Sequence, residues 1–372
     1  MSEQIKKTIA KTFLDMAQGL ETGSFATAKI GLMAASSEHG ADELQNALTI
    51  ANRKGIPTEW INEATEAESI SKMEKMLATG DIDGCVAMHY NFPIGVATVG
   101  KVITPATGRV MYIATTTGTS DTDRVAGMVK NAIYGIIAAK ADGIENPTIG
   151  ILNIDGARKV EMALQELKKG GYPISFATSK RDDGGFIMRG NDALNNPCDI
   201  MVCDSLTGNV LMKLLSSFTT GGAYESLGYG YGPGIGEGFN NLVLIVSRAS
   251  GAPVIAGAIE YAASLVKGNW GAVAKAEFAA AKKAGLQAIL TKLTTKAVPT
   301  AEEAVVEPPK EVTTAEVSGI EITDLEDAVM ALWREKIYAQ SGMGCTGPVV
   351  QVNEANIDKA KKILIDKGFL GE

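Results

Sequence analysis

Short, almost continuous apolar runs alternate with longer amphipathic segments along the chain up to residue 293. The apolar runs predict strands at 29–35, 84–89, 111–115, 148–154, 174–177, 199–204 and 242–246. The amphipathic segments predict helices at 42–53, 67–78, 124–141, 157–169, 208–218 and 256–266, and an Ala-rich stretch predicts one long closing helix at 272–293. Strands that are apolar throughout are typical of parallel sheets covered on both faces. We therefore expect a three-layer, mostly parallel α/β body over residues 1–296.

The pattern changes after residue 296. Residues 297–317 are rich in proline and glutamate and poor in apolar side chains, which predicts an extended linker. Residues 318–372 are then expected to form a small αβα unit, with a marginal core of its own. Its predicted elements are a helix capped by Thr323 and Glu326 and stopped at Gly342, a strand at 349–352 and a helix at 357–365.

Composition excludes several classes of protein. The chain has 372 residues and a formal net charge of −8, so it lacks the excess of lysine and arginine that nucleic-acid surfaces need. No apolar run has the length that spans a bilayer, and Glu3 and Asp15 interrupt the first helical pattern, unlike a signal peptide. We expect a cytoplasmic protein. Four cysteines make no disulfide framework, and with two histidines and no HExxH or EF-hand pattern we expect no metal.

A polar turn follows the predicted strand at 199–204. Thr207, Gly208 and Asn209 open the next predicted helix. A helix N-terminus presents free N–H groups and the positive end of the helix dipole, which suits a phosphate. Turns of this kind hold ligands at the carboxyl edge of open α/β sheets. We therefore predict that these three residues bind phosphate.

A second strand, 242–246, runs directly into Ser247 and Arg248. The guanidinium of Arg248 would add a cation whose fork fits phosphate oxygens. The alternative is a strand end with a solvated arginine. His39 either orients the same anion or caps the next helix. The glycine-rich segment 228–238 fits no GxGxxG nucleotide motif and is predicted to be a flexible lid or partner-contact loop.

A second candidate for the anion is the threonine-rich stretch before the helix at 124–141. Thr117, Gly118, Thr119 and Ser120 follow a strand, and Ser120 is the predicted N-cap of that helix. Hydroxyls beside a helix N-terminus suit an oxyanion, and Arg124 on the first turn would face it. The alternative is ordinary capping, with Arg124 in a surface ion pair.

Cys345 lies between Gly344 and Thr346-Gly347. Small neighbours leave the sulfur accessible and free to carry an acyl group as a thioester. The alternative is a small buried side chain in a tight turn, and no basic residue stands beside Cys345 to lower its pKa. The other cysteines lie in or beside apolar strands and are expected to be structural: Cys85, Cys198 and Cys203.

The order of these motifs resembles that of two enzyme families. Residues 199–213 resemble the signature of the phosphate acyltransferases of phospholipid synthesis, and 148–154 is similar to a second element of those enzymes. Ser247 and Arg248, preceded by Gly232-Pro233-Gly234, resemble the acyl-binding corner of phosphate acetyltransferases. The resemblance implies an isocitrate/isopropylmalate dehydrogenase-like fold.

One departure from the second family bears on mechanism. Phosphate acetyltransferases place an acidic residue six positions after the arginine, where this chain has Val254. The general base that would deprotonate a free thiol is therefore missing. Inorganic phosphate is already an anionic nucleophile, so its attack on a preformed thioester needs no such base.

Over its full length, including 37–40 and the Cys345 tail, the chain resembles the alpha subunits of component C of the glycine, sarcosine and betaine reductase complexes of amino-acid fermentation. This resemblance implies an acetyl thioester on a cysteine, matched here by Cys345, and attack by inorganic phosphate to release acetyl phosphate. It implies two partners: a ketoacyl synthase-like beta subunit and, transiently, the selenoprotein component A. Phosphate is then a substrate, and no cofactor is expected on this chain. Two alternatives stay open: a stand-alone phosphate acyltransferase using coenzyme A or acyl carrier protein, and a non-catalytic scaffold.

Overall fold

The computed structural model describes residues 13, 16, 28–34, 37–180, 185–295, 305–321, 324–344 and 347–371. Within these residues the body is built on an 11-stranded sheet. Its strands are β1 (Ile30–Met33), β2 (Thr58–Ile61), β3 (Gly84–Ala87), β4 (Val96–Ile103), β5 (Val110–Thr119), β6 (Thr148–Leu152), β7 (Ser175–Phe176), β8 (Ile187–Met188), β9 (Ile200–Val202), β10 (Gly232–Ile235) and β11 (Val243–Ile245). Its helices are α1 (Ala41–Arg53), α2 (Glu66–Thr79), α3 (Arg124–Ala141), α4 (Ala157–Lys169), α5 (Gly190–Asn195), α6 (Ser205–Ser217), α7 (Ala252–Lys267), α8 (Trp270–Lys283) and α9 (Leu286–Thr294).

The sheet is mostly parallel, as predicted. Its order is β2-β1-β3-β11-β10-β4-β5-β9-β6-β7, with β8 also paired to β6. Strands β1, β2, β3 and β11 pair in parallel, and so do β5 to β9. Three successive antiparallel pairings, β11-β10, β10-β4 and β4-β5, separate these groups, so the two parallel halves run in opposite directions.

Alternate residues of the strands enter different cores, which confirms the three-layer arrangement. Leu32 and Val202 belong to one large cluster that extends along one face of the sheet. Met33 packs in a second cluster, and Met201 packs in a third. Because neighbours on a strand point to opposite faces, both faces of each half are covered.

Two predictions about the body are wrong. Segment 228–238 is not a loop, because it contains the buried strand β10 in the centre of the sheet. Gly232 has φ 88° there, and a Cβ at this position would overlap the Val99 carbonyl oxygen, so glycine is required for the close approach. The predicted closing helix 272–293 is two helices, α8 and α9, since Gly285 between them has φ 96°.

The C-terminal unit has more strands than predicted. It consists of β12 (Ala315–Ser318), α10 (Leu325–Arg334), β13 (Ala339–Gly344), β14 (Gly347–Val352) and α11 (Ile357–Asp366). The strands form an antiparallel sheet in the order β12-β14-β13, and the unit has its own hydrophobic cluster. The αβα prediction therefore missed β12 and β13. Strand β12 begins inside the predicted linker 297–317, and Gly342 lies in β13 instead of stopping a helix. Thr323 of the predicted capping box lies outside the described residues.

The C-terminal unit contacts the body at the N-terminus of α4. The carboxylate of Glu321 accepts hydrogen bonds from the backbone N–H of Gly156, at 3.1 Å, and of Arg158, at 2.6 Å. Lys159 pairs with Asp324 at 2.7 Å. Gly156 at the helix start offers no side-chain cap, so the C-terminal unit supplies the carboxylate that α4 needs.

Helix α6 lies unusually close to β5. A Cβ at Gly208 would overlap the Thr115 carbonyl oxygen. The next residue, Asn209, donates from its side-chain amide to the Thr116 carbonyl oxygen at 3.2 Å. Gly208 is thus a packing residue in this structure, and the helix position depends on it.

We expect Gly208→Ala to lower the free energy of unfolding by about 2–3 kcal/mol, because the added methyl group forces α6 away from β5. Gly271→Ala is the matched control, since position 271 is also helical and a Cβ there meets nothing within 4 Å. That control should be neutral or stabilising by up to about 1 kcal/mol. Urea unfolding measures both. Equal effects of the two changes would contradict the packing role of Gly208.

Candidate functional site

Two neighbouring parallel strands bring polar residues to one edge of the sheet. Ala87 of β3 pairs with Ile245 of β11. His89 and Ser247, each two residues further on, therefore leave the sheet side by side. Both line one cleft, which we call the Lys213 cleft.

The Lys213 cleft has a volume of about 210 Å³. One wall comes from β5 and α6, which contribute Thr117, Asn209 and Lys213. Asn209 and Lys213 are four residues apart and so lie on the same side of the helix. The remaining lining is largely apolar and aromatic: Met88, Tyr90, Phe92, Tyr231, Ile245 and Val246. The cleft thus combines one ammonium and several hydrogen-bonding groups with an apolar wall.

Lys213 has a fixed position at the cleft although its side chain is 54% exposed. Its ammonium donates to the Ser247 hydroxyl oxygen at 3.2 Å and lies 3.6 Å from a carboxylate oxygen of Glu225. The ring centre of Tyr231 is 5.7 Å away. An ammonium has three N–H donors, so these contacts leave it able to bind an anion in the cleft.

The buried carboxylate of Glu225 holds the side chains around Lys213 in place. Its side chain is 4% exposed and accepts hydrogen bonds from the hydroxyl groups of Tyr231, at 2.9 Å, and Ser250, at 2.6 Å. Ser250 in turn accepts from the backbone N–H of Ser247 at 3.0 Å. Burial, followed by the charge of Glu225, raises the pKa of Tyr231 well above its usual range. Tyr231 therefore stays neutral and serves as a fixed donor to Glu225.

The threonine-rich stretch that was the second candidate phosphate site differs in structure from the prediction. Thr117, Gly118 and Thr119 are still part of β5, and the N-cap of α3 is Asp123, not Ser120. The Ser120 hydroxyl oxygen instead contacts the Asn131 amide oxygen at 2.6 Å and the Gly127 carbonyl oxygen at 3.1 Å. Gly118, Thr119 and Ser120 line a second cleft of about 210 Å³, which we call the Arg124 cleft. The structure thus separates Thr117 from its sequence neighbours.

Arg124 is held by two carboxylates. Its guanidinium pairs with Asp155 at 2.8 Å and with Asp204 at 2.9 Å. Asp121, which pairs with Lys130, and Asp123 line the same cleft. Carboxylates thus outnumber cations around the Arg124 cleft, and the geometry agrees with the ion-pair alternative for this arginine.

The start of α6 is also occupied by a carboxylate. The helix begins at Ser205, before the predicted start at Gly208, and Asp204 is its N-cap. The Asp204 carboxylate accepts from the Thr207 backbone N–H at 2.9 Å and from its hydroxyl at 2.8 Å. Partial burial acts to raise the pKa of Asp204, but the hydrogen bonds from Thr207 and Arg124 outweigh it and hold the pKa below its usual value. Of the three predicted residues at this turn, only Asn209 lines the Lys213 cleft.

Arg248 lies on the turn just beyond Ser247. It is exposed, and among the described residues its side chain has no hydrogen-bonded partner. Its carbonyl oxygen accepts from the backbone N–H of Glu38. His39 contacts the Ala249 carbonyl oxygen through Nε2 at 3.1 Å, so the segment around 38–39 braces this turn. Val254 is buried within α7, as a residue without a catalytic role would be.

Three of the four cysteines are buried: Cys85, Cys198 and Cys203. Burial raises the pKa of Cys85 and of Cys198 to about 12, and that of Cys203 further. They are therefore poor nucleophiles. Cys345 lies outside the described residues, although its neighbours Gly344 and Gly347 pair with each other across β13 and β14. Among the described residues there is no group of three His, Cys, Asp or Glu side chains that could hold a metal, and no helix with the length and apolar character to cross a membrane.

Sequence reasoning missed four residues of the site: Lys213, His89, Glu225 and Tyr231. For two of them the sequence contained a pattern that could have indicated the site. Lys213 stands four residues after Asn209 on a predicted helix, and His89 ends a predicted strand. Glu225 and Tyr231 follow α6 in a segment whose fold the glycine pattern obscured.

The three-layer body is consistent with an acyltransferase-like α/β fold. The model of the family described as "Fatty acid synthesis protein" matches residues 31–351. The chain is 56% identical over 382 aligned positions to the glycine/sarcosine/betaine reductase complex component C subunit alpha of Peptoclostridium acidaminophilum, covering 98% of this chain and 99% of that protein. The chain therefore belongs to the fatty acid synthesis protein family and, within it, to the family of these component C alpha subunits.

Shorter similarities connect the chain to phosphate acyltransferases. The enzyme of Brevibacillus brevis is 34% identical over 87 residues, which is 23% of this chain and 24% of that protein. The enzyme of Paramagnetospirillum magneticum is 34% identical over 113 residues, 27% of this chain and 30% of that protein. These partial matches support the relationship to enzymes of acyl transfer.

Asp204→Asn should keep the cap of α6 but lose the charge that Arg124 faces, lowering the free energy of unfolding by about 1 kcal/mol at neutral pH. Because the folded-state pKa of Asp204 is depressed, its contribution is fully present above the unfolded carboxyl pKa of about 3.9 and is lost as the pH falls through the folded value. The difference between the two proteins, measured by urea unfolding, should be constant near neutrality and shrink below about pH 4. A difference that grows on acidification would contradict the account.

Proposed function

We propose that this chain transfers an acetyl group from a thioester to inorganic phosphate in the Lys213 cleft, releasing acetyl phosphate as part of a glycine, sarcosine or betaine reductase complex. The observation that carries the proposal is the Lys213 ammonium, held at the cleft by Ser247 and Glu225 with donor capacity to spare. The family of the chain supports the class of reaction. The family supports acyl transfer in general, and the proposal adds that phosphate is the acceptor of the acyl group.

Phosphate is the ligand that the polar groups of this cleft suit best. Lys213 supplies a charge, Asn209 and Thr117 supply an amide and a hydroxyl, and His89 completes the ring of polar groups. Arg248 does not line the cleft but is exposed on the turn next to Ser247, and the proposal gives it the role of a second cation at the rim. In the Arg124 cleft, by contrast, carboxylates already occupy Arg124 and both helix starts. We therefore assign phosphate to the Lys213 cleft and give Arg124 and Thr207 a structural role.

The apolar wall suits the other reactant. Tyr90, Phe92 and Val246 offer an apolar surface to the acetyl methyl group. A phosphate oxygen attacks the thioester carbonyl carbon, the new C–O bond forms, and the C–S bond breaks as the sulfur leaves as a thiolate. Donors at the cleft stabilise the charge on the carbonyl oxygen in the transition state. Phosphate needs no base for this step, in keeping with valine at position 254.

Cys345 is the proposed carrier of the acetyl group. The other three cysteines are buried with raised pKa values and cannot present a thiolate to solvent. Residues 311–314 are hydrogen-bonded to the C-terminal unit, so the connection to the body is residues 296–310, which could span about 50 Å if fully extended. The proposal therefore requires the C-terminal unit to release its contacts with the start of α4 and to bring its thioester to the cleft. The ketoacyl synthase-like beta subunit and the selenoprotein component A are proposed as the partners that supply the acetyl group.

A stand-alone phosphate acyltransferase is the second candidate, favoured by the partial matches to those enzymes. It would use the same cleft with coenzyme A or acyl carrier protein as the thiol. The acetyl group would then never reside on Cys345.

Exchange of labelled phosphate into acetyl phosphate tests the Lys213 cleft. Attack of the enzyme thiolate on acetyl phosphate releases phosphate, and the reverse step incorporates the label. We expect Lys213→Gln to lower kcat/KM for phosphate by roughly 10²–10³-fold, because a charge-assisted donor to the reacting group is lost. Lys213→Arg should recover part of the rate. Lys292→Gln, at an exposed lysine paired with Glu166, is the control and should leave the rate unchanged.

Exchange by Lys213→Gln at the wild-type rate would refute the assignment of the cleft. The measurement uses the full chain, both alone and purified with its partner subunits. A non-catalytic scaffold would show no exchange in either preparation.

Radiolabelled acetyl phosphate tests the carrier. We expect one acetyl group per chain, located at Cys345 by mass spectrometry and absent from Cys345→Ala, since the remaining thiols are buried. Addition of coenzyme A separates the two candidate functions. Rapid acetyl-coenzyme A formation by Cys345→Ala would support the stand-alone acyltransferase and end the carrier proposal.

A further inference from the structure

Helix α4 begins without an anion of its own. Its N-cap, Gly156, has no side chain, and its first turn contains no acidic residue. Arg158 and Lys159 place two cations there instead. Free N–H groups and the positive end of the helix dipole disfavour cations at a helix start. Helices α3 and α6, by contrast, begin at the aspartate caps Asp123 and Asp204. The start of α4 is therefore incomplete within the body.

An acidic segment of the C-terminal unit completes this helix start. Residues 321–327 include four acidic side chains and no basic one. Glu321 accepts hydrogen bonds from the backbone N–H groups of Gly156 and Arg158, and Asp324 pairs with Lys159. Among the described residues, no hydrophobic cluster contains side chains of both the C-terminal unit and the body. The charges of this contact therefore hold the two parts together.

We propose that this contact is an electrostatic latch, which holds the C-terminal unit in a resting position and opens to let the unit deliver its thioester. None of the described residues of the unit lines the Lys213 cleft, so the docked unit does not contribute to the proposed phosphate site. Its own hydrophobic cluster lets the unit leave α4 as a folded body. The purpose of the latch rests on the proposed acetyl transfer, whereas the latch itself is measured without catalysis.

The strength of such a contact suits a unit that must both dock and leave. Hydrogen bonds to a charged group favour the docked state by roughly 10–100-fold. The side chains of Lys159 and Asp324 are 36% and 22% exposed, so dissolved salt screens their attraction. Undocking returns the N–H groups of α4 and the carboxylates to water, so no buried charge is left without a partner. Rising ionic strength should therefore increase the open fraction.

Hydrogen–deuterium exchange of the full chain tests the latch. In the docked state Glu321 protects the amides of Gly156 and Arg158. Glu321→Lys brings a third cation to the start of α4, so these two amides should exchange about 10–100-fold faster. Glu335→Lys, at the opposite end of α10, is the matched control and should leave both rates unchanged. Equal rates in the wild type and in Glu321→Lys would overturn the latch.

The amides of β14 separate undocking from unfolding. This strand is the central strand of the C-terminal sheet, so its amides should exchange at the wild-type rate in Glu321→Lys. Faster exchange throughout β14 would mean that the variant unfolds the unit instead of releasing it, and would overturn the proposal.

A reversible disulfide tests whether acetyl transfer requires undocking. A Cβ at Gly371 would lie 3.6 Å from the Cγ of Met162, which suits a disulfide between cysteines introduced by Met162→Cys and Gly371→Cys. The oxidised double variant should lose labelling of Cys345 by acetyl phosphate, and reduction with a phosphine should restore it. Gly371→Cys alone is the control and should be labelled after the same oxidation.

Labelling of the locked chain at the wild-type rate would contradict the delivery role of the latch. Glu321→Lys should be labelled about 10-fold faster than the wild type, because a larger fraction of the chain is open. Absence of labelling in the wild type as well would refute the proposed acetyl transfer, while the exchange rates of the α4 amides would still report the latch.

Discussion

The contact between Gly208 and the Thr115 carbonyl oxygen fixes the geometry on which the rest of the site depends. Without a side chain at 208, α6 lies directly against β5, and its next residues project over the strand into the cleft. Asn209 then reaches the backbone of β5, and Lys213 reaches Ser247 at the end of β11. A single close approach thus joins the two oppositely directed halves of the sheet at one cleft. The residue looked like a phosphate ligand in the sequence, but its contribution is to let the helix approach.

Charge balance decides which of the two clefts suits an anion. Arg124 has two carboxylate partners, and Asp123 and Asp204 already cap the helices that open there. Lys213 faces one buried carboxylate, Glu225, which two hydroxyl groups also satisfy. A cation beside carboxylates therefore gives a structural ion-pair cluster in one cleft and an ammonium with free donors in the other. The number and placement of the carboxylates, which only the three-dimensional structure shows, distinguish the two clefts.

Much of the fold could be predicted from the sequence, because strands buried on both faces leave continuous apolar runs and the helices between them keep a 3.6-residue period. The central antiparallel strands could not be predicted from the sequence. Strand β10 has the sequence Gly-Pro-Gly-Ile, which is typical of a turn. It forms a strand because it packs tightly against β4 and pairs with it. Ser247, Asn209 and Thr117 were predicted because they follow or flank strand ends, and the structure places all three at the Lys213 cleft. Glu225 and Tyr231 were not predicted, because their contacts with Lys213 depend on the tertiary fold and no local sequence pattern shows them.

The position of a bound oxyanion in a crystal tests most directly whether the Lys213 cleft is the phosphate site. Arsenate mimics phosphate, and anomalous diffraction from arsenic in a crystal of the full chain would place it without reference to any mechanism. The account predicts arsenate in the Lys213 cleft, within hydrogen-bond distance of the Lys213 ammonium and the Asn209 amide. Arsenate bound at Arg124 between the starts of α3 and α6, with the Lys213 cleft empty, would contradict it.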